Sequence, residues 1–107
     1  MKVGDKIKFK AEKQRYTIQA MNERYLICTK PFNPMHTVLY TIVDLEKQIR
    51  GRENLVFGMG AETTEQCEEM LERLTIGTED GMKSEISHRN YLTLDIENIC
   101  PPPSSKQ

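Results

Sequence analysis

The chain is expected to fold as an α+β domain: a curved antiparallel sheet or small open barrel with one amphipathic helix. Three observations predict this. Several segments alternate apolar and polar side chains with a period of two. One segment repeats its apolar residues at helical spacing. The connections between these segments are short enough for hairpins.

Gly4-Asp5 introduces Lys6-Ile7-Lys8-Phe9-Lys10, a half-buried strand with Ile7 and Phe9 inward and three lysines outward. A hairpin follows. Its first strand, 16–20, turns Tyr16, Ile18 and Ala20 inward and Thr17 and Gln19 outward. Its second covers 25–29, and Asn22 suits the turn between them. Pro31-Phe32-Asn33-Pro34-Met35-His36 reads as a connecting loop, because proline cannot donate to a ladder. Residues 37–45 carry Val38, Leu39, Tyr40, Ile42, Val43 and Leu45, so this strand should be central and covered on both faces. Arg50-Gly51-Arg52-Glu53-Asn54 reads as a turn, and Leu55-Val56-Phe57 as a short strand ending at Gly58-Met59-Gly60.

Thr63 and Gln66 match a capping box, which places a helix at about 64–74. Its buried stripe is Cys67, Met70, Leu71 and Leu74, and Gly77 is placed to end it. Glu79-Asp80-Gly81 turns the chain toward a strand at 82–87, and a last strand is expected at 91–96 with Leu92, Leu94 and Ile96 on one face. Residues 1–100 are expected to form one domain, followed by a disordered or extended tail, Pro101-Pro102-Pro103-Ser104-Ser105-Lys106-Gln107.

Charge is divided unevenly along the chain. Residues 1–52 carry +6, from eleven Lys/Arg and five Asp/Glu, whereas 53–107 carry −7, from four and eleven. Such asymmetry bears on partners and association more than on fold. No stretch approaches the roughly 20 apolar residues of a membrane helix, and the first residues lack the apolar run of a signal peptide. A cytoplasmic location without membrane contact is therefore expected. Cys28, Cys67 and Cys100 are odd in number and widely spaced, against both a disulfide framework and a zinc site; Cys28 and Cys67 read as buried, inert thiols.

Three surfaces are candidates for binding. Glu65, Glu69 and Glu72 fall at i, i+4 and i+7 on one exposed helix stripe, with Glu62 just before it and Glu68 alongside. Such a row of carboxylates could occupy a basic, nucleic-acid-binding groove on another protein; the plainer reading is a solvated helix face. Lys6, Lys8 and Lys10, with Lys13 and Arg15, could contact nucleic acid directly. Lys2, Arg24 and Lys30 could extend that surface, and Tyr16 and Tyr25 could offer stacking faces. Its plainer reading is an edge strand protected by lysines. Ser87 with His88, Arg89, Asn90 and Tyr91 is the densest cluster of recognition side chains, equally suited to a partner contact or to a structural turn. Arg50 and Arg52 could hold a phosphate or carboxylate, or simply form an exposed hairpin tip.

Catalysis finds little support. His36 and His88 form no metal-binding pair, and Gly58-Met59-Gly60 completes neither a dinucleotide fingerprint nor a phosphate-binding loop. Asp44 and Asp95 could approach one another across the sheet. The chain is read as a non-enzyme without metal or cofactor; an unrecognised site around His88 or Asp44 is the remaining enzymatic alternative.

The stretches Val3-Gly4-Asp5-Lys6-Ile7-Lys8-Phe9, Thr37-Val38-Leu39-Tyr40-Thr41-Ile42-Val43-Asp44 and Ser87-His88-Arg89-Asn90-Tyr91 together resemble small proteins carried by bacterial phages, plasmids and conjugative elements. That resemblance spans most of residues 3–96 and transfers no site residues. It implies an accessory factor, of which anti-CRISPR inhibitors of a host Cas nuclease are one recurrent class. The expected function is a small binding protein that inhibits or regulates a host nucleic-acid-handling machine. A direct DNA- or RNA-binding module is the alternative. The two charged halves also allow self-association into a homo-oligomer.

Overall fold

The computed structural model describes residues 1–32, 37–56, 64–76, 86 and 88–100. They form strands β1 (Lys6–Phe9), β2 (Tyr16–Met21), β3 (Tyr25–Phe32), β4 (Thr37–Asp44) and β5 (Ile49–Val56). Helix α1 (Thr64–Ile76), a 3₁₀ turn (His88–Asn90), β6 (Tyr91–Thr93) and β7 (Ile96–Cys100) follow. The seven strands make one antiparallel sheet in the order β6-β5-β4-β3-β2-β1-β7. The expected α+β class with a curved sheet and one helix is what the chain adopts.

The curl follows from the connectivity. In a flat sheet of this order the outer strands β6 and β7 would lie about 29 Å apart at ~4.8 Å per strand. Only Leu94 and Asp95 join them, a link that spans roughly 11 Å at full extension. The sheet must therefore roll until its edges meet at that end. Backbone hydrogen bonds fix the closure: Leu94 N donates to Gln48 O at 3.0 Å, and Lys10 N donates to Asp95 O at 2.9 Å. The single strand expected at 91–96 is accordingly two, broken where the chain passes from one sheet edge to the other.

Rolling gives the sheet an inner and an outer apolar face. Ile7, Phe9, Tyr16, Ile18, Leu26, Cys28, Leu39 and Val43 pack together inside. Outside, α1 brings Cys67, Met70 and Leu74 onto Ala20, Tyr25, Ile27, Tyr40 and Ile42, with Ile86 beside them. Alternate residues of β4 serve the two faces, as its unbroken apolar run predicts. The helix stripe is as expected, and the helix continues beyond Leu74 to Ile76. Asn22 Nδ2 donates to Thr75 Oγ1 at 3.0 Å, tying the helix end to the β2–β3 turn. That turn is the expected one: Asn22 Oδ1 accepts the N–H groups of Arg24 and Tyr25.

Three expectations need correction. β2 does not keep Tyr16, Ile18 and Ala20 on one face. A bulge between Ile18 and Ala20 turns Ala20 toward the helix while Ile18 stays inside. β3 runs through Pro31 and Phe32 instead of ending before them. This is tolerated because its pairing with β2 ends at Thr29, so the missing proline N–H has no ladder partner on that side. Most consequentially, Arg50-Gly51-Arg52-Glu53-Asn54 is not a turn but the middle of β5, paired along its length with β4, and Leu55 and Val56 continue the same strand. The turn lies earlier, at 45–48, where Asp44 Oδ1 accepts the N–H groups of Glu46 and Lys47, and Gln48 closes the turn at φ 58°. Gly4, at φ +100°, makes the turn into β1 that an L side chain would resist. The expected features at 33–36, 57–63, 77–85 and 101–107, including Thr63, Gly77 and the tail, lie outside the described residues.

Candidate partner-binding surfaces

β5 presents Arg50 opposite Val43 and Arg52 opposite Thr41, both inner-face positions, so the two arginines point into the curled sheet. Arg50 is fully buried. Its guanidinium lies over the Phe9 ring, 3.9 Å from the centroid. It donates from Nε to Asp95 Oδ1 at 2.9 Å and from Nη1 to Glu12 Oε2 at 3.0 Å. Arg52 Nη1 donates to the same Glu12 oxygen at 3.0 Å. Glu12 Oε1 accepts Lys30 Nζ at 2.9 Å and Tyr16 Oη at 2.7 Å. Asp95 Oδ2 accepts Ala11 N, so one carboxylate ties the loop after β1 to β5 at the closure. The Arg50 Nη2 donor is buried with no acceptor among the described residues.

Sequence reading missed this network of Glu12, Tyr16, Lys30, Arg50, Arg52 and Asp95. The two arginines do bind carboxylates, but the protein's own, from the middle of β5 and not from a hairpin tip, with Arg50 buried and Arg52 half-buried. Burial by itself would push the Glu12 carboxyl up; hydrogen bonds from Tyr16, Lys30 and Arg50 outweigh it and hold the pKa at about 2. Burial, then the bond to Glu12, pushes the Tyr16 phenol well above its usual range. With four donors on its two oxygens, Glu12 has no free lone pair directed at a substrate proton. The cluster is built to hold the sheet closed.

Asp44 and Asp95 are each held by a different arginine, Arg24 and Arg50. Asp44 is engaged by Arg24 in a fork, with Nε to Oδ1 at 3.0 Å and Nη2 to Oδ2 at 2.9 Å. Burial opposes its ionisation, yet Arg24 and the turn N–H groups hold its carboxyl below the usual range. Arg24 also meets Glu46 at 3.0 Å. Arg24 and Lys30 therefore serve internal ion pairs and do not extend a basic surface. Tyr16 and Tyr25 are buried and offer no stacking face.

On α1, Glu65, Glu68, Glu69 and Glu72 are all exposed. At about 100° per residue they share an arc centred opposite the Cys67–Met70–Leu74 stripe. Glu62 lies outside the described residues. On β1, Lys6 and Lys10 are exposed, while Lys8 is half-buried and donates to Glu97 Oε1 at 2.7 Å and to Glu12 O at 3.2 Å. Lys6 Nζ donates to Thr17 Oγ1 at 2.9 Å. Lys13 and Arg15 are exposed in the loop that follows. In the third cluster, Asn90 Nδ2 donates to Glu53 Oε1 at 3.0 Å, anchoring the 3₁₀ turn that begins at His88 to β5. Tyr91 packs against the helix-side core, Asn90 is half-buried and Arg89 is exposed.

Cys28 and Cys67 are buried thiols outside any disulfide, and burial pushes the Cys28 thiol far above its usual range. Neither should react with iodoacetamide at about pH 8 until the protein is unfolded, when mass spectrometry should find both carbamidomethylated. Among the described residues no helix is long and apolar enough to cross a membrane. In comparison with known proteins, no family model matches the chain, and neither a curated protein nor a solved structure does.

Proposed function

We propose that the chain is a non-enzymatic docking protein whose acidic helix face occupies a basic, nucleic-acid-binding surface on another protein, inhibiting or regulating it. One observation carries this reading: Glu65, Glu68, Glu69 and Glu72 all project outward from a helix whose opposite stripe is fully used in packing. Their carboxylates recur every ~5–6 Å along the helix, a linear array of negative charge like that of a nucleic-acid strand. Like charges at i and i+4 weaken the isolated helix by a few tenths of a kcal/mol, so this face is poorly explained by helix stability. The resemblance to small proteins of mobile elements supports a host nuclease, in its sharpest form a guide-loaded Cas nuclease, as the partner.

Affinity capture from a bacterial lysate, with and without nuclease treatment, would identify the partner; target cleavage by a guide-loaded Cas nuclease tests the sharper form directly. The variant Glu65→Gln/Glu68→Gln/Glu69→Gln/Glu72→Gln should keep the melting temperature of the parent and lose tenfold or more in partner affinity. Parental binding should itself fall as salt rises. Equal capture of the same partner by both proteins would remove the helix as the interface.

A further inference from the structure

The first sixteen residues sort their charges by sign. Both acids, Asp5 and Glu12, are buried, Asp5 against the Lys2 N–H and Glu12 within the interior network. The cations Lys6, Lys10, Lys13 and Arg15 are all exposed. They lie on β1 and the loop after it, beside edge strand β7. Along β1 the lysines recur every ~6–7 Å. Among the described residues a single exposed carboxylate, Glu97 of β7, stands among them, bonded to Lys8 at 2.7 Å. Lys8, with smaller contributions from Lys10 and Arg15, holds its carboxyl below the usual range.

The composition of this corner selects the class of ligand. Phe9 and Tyr16 point inside, so among the described residues no aromatic of the corner is available to stack on an unpaired base. Of the residues paired opposite Lys6 and Lys8, Thr17 and Asn98 are polar and Cys100 is small, and Glu97 is bonded to Lys8, a poor set to insert into a lipid surface. What remains is a group of cations on β1 and the loop that follows it, matched in sign to a polyanion read without regard to sequence.

We propose that this corner binds the sugar–phosphate backbone of duplex nucleic acid, with Glu97 as a built-in counter-charge that an incoming phosphate displaces from Lys8. The surface is separate from the acidic helix and does not depend on the function proposed for that helix.

The test is fluorescence anisotropy with a labelled DNA duplex of about 20 base pairs, starting near 20 mM salt and titrated upward. Single strands of equal length and phosphatidylserine vesicles serve as comparators. Duplex binding is expected, with log K falling against log salt at a slope of about −3 to −4 for four phosphate contacts. The variant Lys10→Gln/Lys13→Gln/Arg15→Gln should flatten that slope by about 3 and abolish binding above the lowest salt. Glu97→Gln, at an exposed position, should tighten binding several-fold. The helix-glutamine variant should bind the duplex as the parent does, which separates failure here from failure of the docking helix. Absence of duplex binding at the lowest salt overturns the proposal. So does indifference to the triple variant, or preference for single strands or vesicles.

Discussion

Glu12→Gln is expected to lower the stability of the protein by about 3–5 kcal/mol, the usual cost of removing one partner from a buried ion network. The side chain is 6 % exposed and receives four donors on two oxygens. A glutamine there turns one acceptor into a donor that faces Lys30 and Tyr16 or the two arginines. It also leaves fully buried Arg50 with Asp95 as its one remaining carboxylate among the described residues. Urea unfolding at neutral pH would show the loss as a lower midpoint at an unchanged slope. The same residue governs part of the acid limb. Its pKa falls from 4.5 to about 2 on folding, so its contribution is fully present above about pH 4.5 and is lost as pH drops through 2. At 1.36 kcal/mol per unit, that is about 3 kcal/mol. Asp44, held low by Arg24, adds a loss in the same direction. A Glu12→Gln variant should therefore have a flatter stability profile between pH 2 and 4.5 than the parent. An identical acid limb in the two proteins would mean that the network contributes nothing at neutral pH.

How much of this was legible follows from what periodicity records. Strand β1, the β2–β3 hairpin, the two-faced β4 and the helix stripe were readable because each writes its pattern within a few residues. Asn22 gave its turn away by local chemistry. The acidic helix face was equally plain, since exposed and buried stripes follow from a helix alone. The bulge at Gln19 was hidden, because a period-two count assumes an unbroken register, and one extra residue sends Ala20 to the other face. Arg-Gly-Arg looked like a turn by composition. Its alternation of Arg50 and Arg52 around Gly51 was the available sign of a strand, and Asp44 at the head of 45–48 marked the turn. The Glu12 network could not be read at all. Its members lie up to 83 positions apart, from Glu12 to Asp95, and they meet because the sheet rolls.

The outer face holds a second point of little tolerance, at Gly51. Its φ is not in the left-handed region, so the backbone there would accept any L residue. Space is what excludes them. A methyl built on Gly51 would stand 2.6 Å from Ile86 Cγ2, 3.0 Å from Cγ1 and 3.1 Å from Cβ. The approach of the Ile86 Cβ means that no rotation of that side chain relieves the clash. Ile86 is 2 % exposed and packed in the helix-side core, so it must move as a whole. Gly51→Ala is therefore expected to cost about 1–3 kcal/mol by overpacking, and Gly51→Val more. Ile86→Ala should cost about 2–5 kcal/mol for the opposite reason, an emptied site over the same glycine. Combined, the two alanines should interact favourably, since the new methyl occupies part of the vacated volume. The double variant should be more stable than the sum of the single losses predicts, by roughly 1 kcal/mol or more in a double-mutant cycle. Strict additivity would show that Ile86 does not rest on Gly51.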